Sequence, residues 1–211
     1  YGKHVLCEKP ITLMLEEADA VVAYAEEYGL VFAVHHQLVC TDAVSVAMQK
    51  LSAGEIGEIY HIDALGKGRE PAYDLEEIGC HSLHLMMHLA GAEPREARGR
   101  VTTHGRRATT DDVGPINGFF PDGRASGLGM RADCIVGDYC FENGVTGRLM
   151  LPKLVEPRTE FMSFVVYGTK GRLQIFDTRA GRLFVSHQPL EDMMYDWRDV
   201  PEAWRPDRTW L

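Results

Sequence analysis

The chain has 211 residues, 45% of them hydrophobic and 25% charged, and a net charge of −9. It is apolar enough to bury a core and too apolar to stay disordered. The acidic balance argues against a general nucleic-acid binder, which needs a basic surface to displace counterions from phosphate.

The longest apolar runs, such as 30–34, are far shorter than the roughly 20 residues of a membrane span, so no membrane partner is expected. The five cysteines, Cys7, Cys40, Cys80, Cys134 and Cys140, contain no CxxC pair. Free thiols in a reducing cytoplasm are the expected state. The chain opens without Met and enters a strand-like run at once, which reads as a truncation.

In chain order, 4–7 reads as a short strand that ends at Glu8-Lys9-Pro10. Thr12 is placed to cap a helix with Glu16 and Glu17 in its first turns, where the dipole favours acids. Leu15, Ala18, Val22 and Ala25 form its apolar face, and Gly29 is its stop. The apolar run 30–34 reads as a strand buried on both faces, completing a parallel βαβ unit.

Past His35-His36 the pattern changes. A helix is expected over 42–52, with Val44, Met48 and Leu51 on one side, and then a strand over 58–65. A glycine- and charge-rich loop follows at 66–73. A second helix is expected over 77–89. Strands then dominate: 97–103, 131–142 and 145–151 about Asn143-Gly144, 161–167 and 172–176 about Gly168-Thr169-Lys170-Gly171, and 183–186. The segment 114–129 reads as a long loop, and the tail from 191 as a surface wrap.

The fold class is therefore α+β. A large, mostly antiparallel sheet with flanking helices follows the last βαβ unit of a parallel α/β domain, with the division at about residue 36.

Two constellations could carry chemistry. Glu8-Lys9-Pro10 lies past the C-terminal end of a parallel strand, where open α/β sheets bind ligands. A lysine there can hydrogen-bond a substrate hydroxyl or relay a proton. The proline would fix the turn and could be cis. A solvated turn is the plain alternative.

The second is Glu77, His81, His84 and His88, spaced four, three and four apart on one helical face. A carboxylate four residues before a histidine suits acid–base chemistry. The same face could instead hold a divalent metal, or be structural. His35-His36 could line the same cleft or simply pack. Cys134 and Cys140 share a strand face and read as core, and Asp111-Asp112 as a turn or cap.

Taken together, Gly2-Lys3-His4-Val5-Leu6-Cys7-Glu8-Lys9-Pro10 and Leu15-Glu16-Glu17-Ala18 resemble the Gfo/Idh/MocA oxidoreductases, the glucose–fructose oxidoreductase and inositol dehydrogenase group. Ala53-Gly54-Glu55-Ile56-Gly57-Glu58-Ile59, Glu77-Ile78-Gly79-Cys80-His81 and Val166-Tyr167-Gly168-Thr169-Lys170-Gly171 continue the resemblance in order.

The resemblance implies a two-domain enzyme that moves a hydride between NAD or NADP and a hydroxyl or carbonyl carbon of a sugar or polyol. Residues 1–36 would be the end of its Rossmann domain. Residues 37–211 would be a substrate-binding and oligomerisation domain, forming a homodimer or tetramer through the sheet. Lys9 and His81 would work at the carbinol, with Glu77 paired to His81. Glu8, Lys9 and Pro10 would lie beside the nicotinamide, and His35 and His84 on the substrate side. No metal is implied.

Two departures from the family pattern stand out. Glu77 and His84 both replace family aspartates, and the second replacement changes the charge facing the substrate. No G-x-G-x-x-G occurs, so this chain alone is expected to hold a dinucleotide poorly and to be inactive. A non-catalytic binding or dimerisation module is the competing reading, and a metal site on the histidine helix face is another.

Overall fold

The structure, a computed structural model, describes residues 2–12, 14–66, 75–117, 125–153, 162–177 and 182–187. For 76–77, 116–117, 125–128 and 177 the description is confined to the backbone.

Strand β1 (Val5–Glu8), helix α1 (Leu15–Glu27) and strand β2 (Phe32–His35) form a parallel two-stranded unit, in register from Val5 opposite Phe32 to Glu8 opposite His35. Glu16 and Glu17 occupy the first turn of α1 as expected. Thr12 is not its cap. The Thr12 hydroxyl donates to the Met14 carbonyl (2.7 Å), and α1 starts after Met14 with no side-chain cap. Gly29, at φ +59°, closes the helix as expected, with the Leu30 amide donating back to the Ala25 carbonyl (2.8 Å).

The expected burial of this unit does not hold. Ala25 is buried, but Leu15 is 74% exposed and Val31 61% exposed. The two-stranded sheet has no third strand among the described residues, so its apolar positions lack a partner layer. An apolar groove of about 500 Å³ is left between Val5, Tyr24, Leu30 and Phe32.

A 3₁₀ turn (Gln37–Cys40) leads into α2 (Asp42–Ser52) and then β3 (Ile59–Leu65). One π-helical turn, Leu75–Gly79, precedes α3 (Cys80–Ala90), which stops at Gly91 in the left-handed region. The second helix thus begins two residues earlier than its sequence suggests, with a wider first turn. Then come β4 (Pro94–Thr103), β5 (Arg106–Arg107), β6 (Val113–Asn117), β7 (Ala125–Met130), β8 (Cys134–Phe141) and β9 (Thr146–Pro152). β10 (Ser163–Gly168), β11 (Gly171–Asp177) and β12 (Arg182–Ser186) complete the order.

Eight strands form one sheet in the order β12-β11-β10-β3-β9-β8-β4-β5. Only β3 and β9 pair in parallel there; the other neighbours are antiparallel. The expected hairpins at Asn143-Gly144 and Thr169-Lys170 are present. The expected loop at 114–129 is a correction: its flanks pair antiparallel as β6 and β7, and only 118–124 lies outside the described residues. Its Gly and Pro are tolerated because a two-stranded ribbon leaves alternate amides unpaired. The loop from 67 to 73 and the tail from 191 lie outside the described residues.

Alternation along the strands builds the core on one sheet face. Ile62, Leu149, Leu151, Phe164, Val166, Leu173 and Ile175 point to it, and α2 and α3 cover it with Val44, Ala47, Leu85 and Met86, all 3% exposed or less. The Asn143 side chain donates to the Ala90 carbonyl (2.8 Å), tying the β8–β9 turn to the end of α3. Asp112 closes the capping box of the 3₁₀ turn Thr110–Asp112 and pairs with Arg106 (2.8 Å), a structural role for that residue. Cys134 and Cys140 are half-buried on β8, and burial pushes the Cys134 thiol up.

Candidate active site

Helix α3 turns Leu85, Met86 and Leu89 to the sheet, so residues 81 and 84, one turn apart, are free to face the segment after β2. There His36 and His84 stack with ring centroids 4.0 Å apart and planes 16° apart. His81 meets His36 edge to face at 6.2 Å. His81 is 4% exposed, and the Nδ1 atoms of both His81 and His36 are buried without a hydrogen-bond partner. Buried polar atoms are rarely left unpaired, and exceptions concentrate at functional sites.

Lys9 comes from the other side, half-buried at the C-terminal end of β1, with a cis bond to Pro10. Burial is the main reason that His81 is pushed down to about 4; the charge of Lys9 and the neighbouring His36 add to it. His36 is lowered by burial, then by His84 and Lys9. His84 is lowered by burial and His88, against an opposing pull from Glu93. His81 is therefore a neutral imidazole at neutral pH, able to accept a proton.

The expected site residues divide. Lys9, His81 and His84 are brought into one cluster. His35 turns instead to Glu8, with Nδ1 2.9 Å from Oε1, and this contact holds the Glu8 carboxyl below its ordinary range. The histidine that reaches α3 is His36. His35, the last residue of β2, sits opposite Glu8 in the strand register, and His36, the first residue past the strand, is the one that turns toward α3. The Glu77 side chain lies outside the described residues. His88 is exposed, away from buried His81. Among the described residues no group of three or more His, Cys, Asp or Glu is arranged to hold a metal.

The cluster lies at the C-terminal ends of two parallel strands, and there residues 1–36 match a family model described as an oxidoreductase family with an NAD-binding Rossmann fold. Residues 1–36 thus resemble the Rossmann part of the Gfo/Idh/MocA oxidoreductases.

The 1,5-anhydro-D-fructose reductase of Ensifer adhaerens is 28% identical over 199 residues, 90% of this chain and 53% of its own length. The UDP-N-acetylglucosamine 3-dehydrogenase of Acidithiobacillus ferrooxidans is 35% identical over 46% of this chain and 31% of its own. The chain thus spans about half the length of the longest of these matches. An NAD-binding oxidoreductase from Klebsiella pneumoniae shares the fold with TM-score 0.70 at 22% identity, over 94% of this chain and 53% of that one. The large, mostly antiparallel sheet is therefore part of the fold shared with that structure. No helix among the described residues is long and apolar enough to cross a membrane.

Proposed function

We propose that this chain is the substrate side of an NAD(P)-dependent oxidoreductase acting on a hydroxyl or carbonyl carbon of a sugar, polyol or related small molecule. The observation that carries the reading is the buried, neutral His81 with an unpartnered Nδ1, set beside Lys9 at the strand ends. In the oxidising direction Lys9 Nζ hydrogen-bonds the carbinol oxygen, and His81 Nδ1 takes its proton. In the reducing direction His81 returns it. His84 faces the substrate from the next turn of α3.

The residues present fit the nicotinamide end of the cofactor: Glu8, Lys9 and Pro10 would line it, and a buried unpartnered imidazole is what a reacting hydroxyl requires. When bound, NAD or NADP supplies the hydride acceptor or donor. No G-x-G-x-x-G in this chain would cradle its phosphates, so this chain alone binds the cofactor weakly.

Residues 1–36 would act as the end of the dinucleotide-binding domain, and 37–211 as a substrate-binding and oligomerisation domain. The sheet face opposite the helices carries polar side chains, including His61 between Thr146 (2.6 Å) and Asp63 (3.1 Å), and Arg148 on Asp138 (2.7 Å). Pairing of two such faces would make the homodimer or tetramer. The free thiols fit a cytoplasmic protein.

The test is Lys9→Ala in the protein that carries this chain. Expected is retained NAD(P) binding with kcat/KM lowered at least about a hundredfold, the usual range for a general acid or base. Unchanged turnover overturns the role of Lys9.

A further inference from the structure

His36 has no part in the chemistry given to Lys9, His81 and His84, yet its ring touches both histidines of α3. It stacks on His84 with centroids 4.0 Å and planes 16° apart, and it meets His81 at 6.2 Å and 87°. Stacked and edge-to-face pairs are the two arrangements that aromatic rings prefer. Burial holds the His36 and His84 imidazoles below their ordinary range, so at neutral pH the stack joins two uncharged rings that do not repel.

The backbone under His36 is fixed on both sides. Its amide donates to the Val34 carbonyl (3.1 Å), and its carbonyl accepts from the Val39 amide (3.3 Å). Leu38, two residues on, is 4% exposed and belongs to the core, and the Thr41 hydroxyl donates to the Leu38 carbonyl (2.9 Å). His36 stands at the N-cap position of the 3₁₀ turn Gln37–Cys40, but its side chain makes no capping hydrogen bond. The ring therefore reaches α3 from a rigid base. The rings that it meets turn about two side-chain bonds each. His81 Nδ1 has no hydrogen-bond partner among the described residues to stop that rotation.

We propose that His36 is a positioning residue: its ring is the fixed wall that holds His81 edge-on and His84 face-on, setting both in the orientation that the cleft uses. This rests on the reading of the cleft as an active site. A wall of this kind works by shape. His36→Phe should serve, because it keeps an aromatic ring. His36→Leu should not, because it fills space without a flat face or a ring edge. A His81 ring free to turn presents its nitrogen poorly to the reacting hydroxyl, and misplacement by about 1 Å costs up to about a hundredfold in rate.

NMR spectra of the 211-residue chain at about pH 8, above the ordinary histidine range, read the ring-proton shifts of His81 and His84, which a neighbouring aromatic ring displaces. Expected is that His36→Phe keeps both displaced and that His36→Leu returns them toward the values of a freely turning imidazole. Turnover of the protein that carries this chain should follow. For His36→Phe, kcat/KM stays within about threefold of the wild type; for His36→Leu it falls about ten- to a hundredfold. Thermal melts show whether each variant is folded, and His36→Met, with a more adaptable side chain, replaces His36→Leu if that one is not.

Unmoved shifts in His36→Leu overturn the proposal, because the ring is then not what holds the pair. Equal loss in both folded variants overturns it too, because the His36 nitrogens then matter and its ring does not. Unfolding of every variant assigns the ring to stability alone, with the same consequence. Ring shifts kept by His36→Phe and lost by His36→Leu, with no NAD(P)-linked turnover in the wild type, remove hydride transfer and leave His36 as what orients the two histidines. Turnover indifferent to both substitutions removes the role of His36 and leaves hydride transfer standing.

Discussion

Glu8 and His35 face each other as register partners of the two parallel strands, with Oε1 2.9 Å from Nδ1. The contact sits on the rim of the cleft, and the Glu8 side chain is 76% exposed. Exposed pairs contribute little to stability because water screens them. His35→Ala should therefore leave Tm nearly unchanged while the Glu8 carboxyl titrates back up toward its ordinary value. A carboxyl-carbon NMR titration reads this directly; an unmoved Glu8 would mean that His35 is not what holds it down.

His81 makes stability depend on pH in a definite direction. Its folded value of about 4 lies below the ordinary 6.5, so between the two the unfolded chain binds the extra proton. Stability is complete above about 6.5 and is lost as pH falls toward about 4, by on the order of 3 kcal/mol at the limit. Urea unfolding at several pH values should show that slope in the wild type and a flatter one in His81→Gln.

Two glycines should respond differently to alanine. At Gly168 a Cβ would fall on the backbone carbonyl of Ile56, which cannot swing aside. At Gly144 the space is open and only φ +86° resists. Gly168→Ala should cost about 1–3 kcal/mol as overpacking, and Gly144→Ala about 1 kcal/mol as left-handed strain. Thermal melts of the two variants check the order.

Leu85 is fully buried between α3 and the sheet. Leu85→Ala should cost about 2–5 kcal/mol. Because Leu85 seats the turn that carries His81 and His84, KM should rise as well. A variant destabilised to that extent with unchanged KM would show that the histidines are held by something other than the seat of α3.

Much of the architecture was legible in the residues themselves. The helix at 42–52, the strand pairs about Asn143-Gly144 and Thr169-Lys170, and the stop at Gly29 follow from local periodicity and turn chemistry, which act over a few residues. The segment 114–129 was misread as loop because its glycines and proline mask a two-stranded ribbon, which needs little intrinsic strand preference.

The candidate site was half legible. The sequence alone determined that Lys9 ends a parallel strand and that 81 and 84 share a helical face, because both are statements about one element. It did not show that His36, rather than His35, crosses to α3. That depends on the register between β1 and β2, which hands His35 to Glu8 and leaves His36 for the helix. Nor could it show a neutral His81. The pKa is set by burial under packed elements and by a lysine 72 positions away, which come together only once the chain has folded.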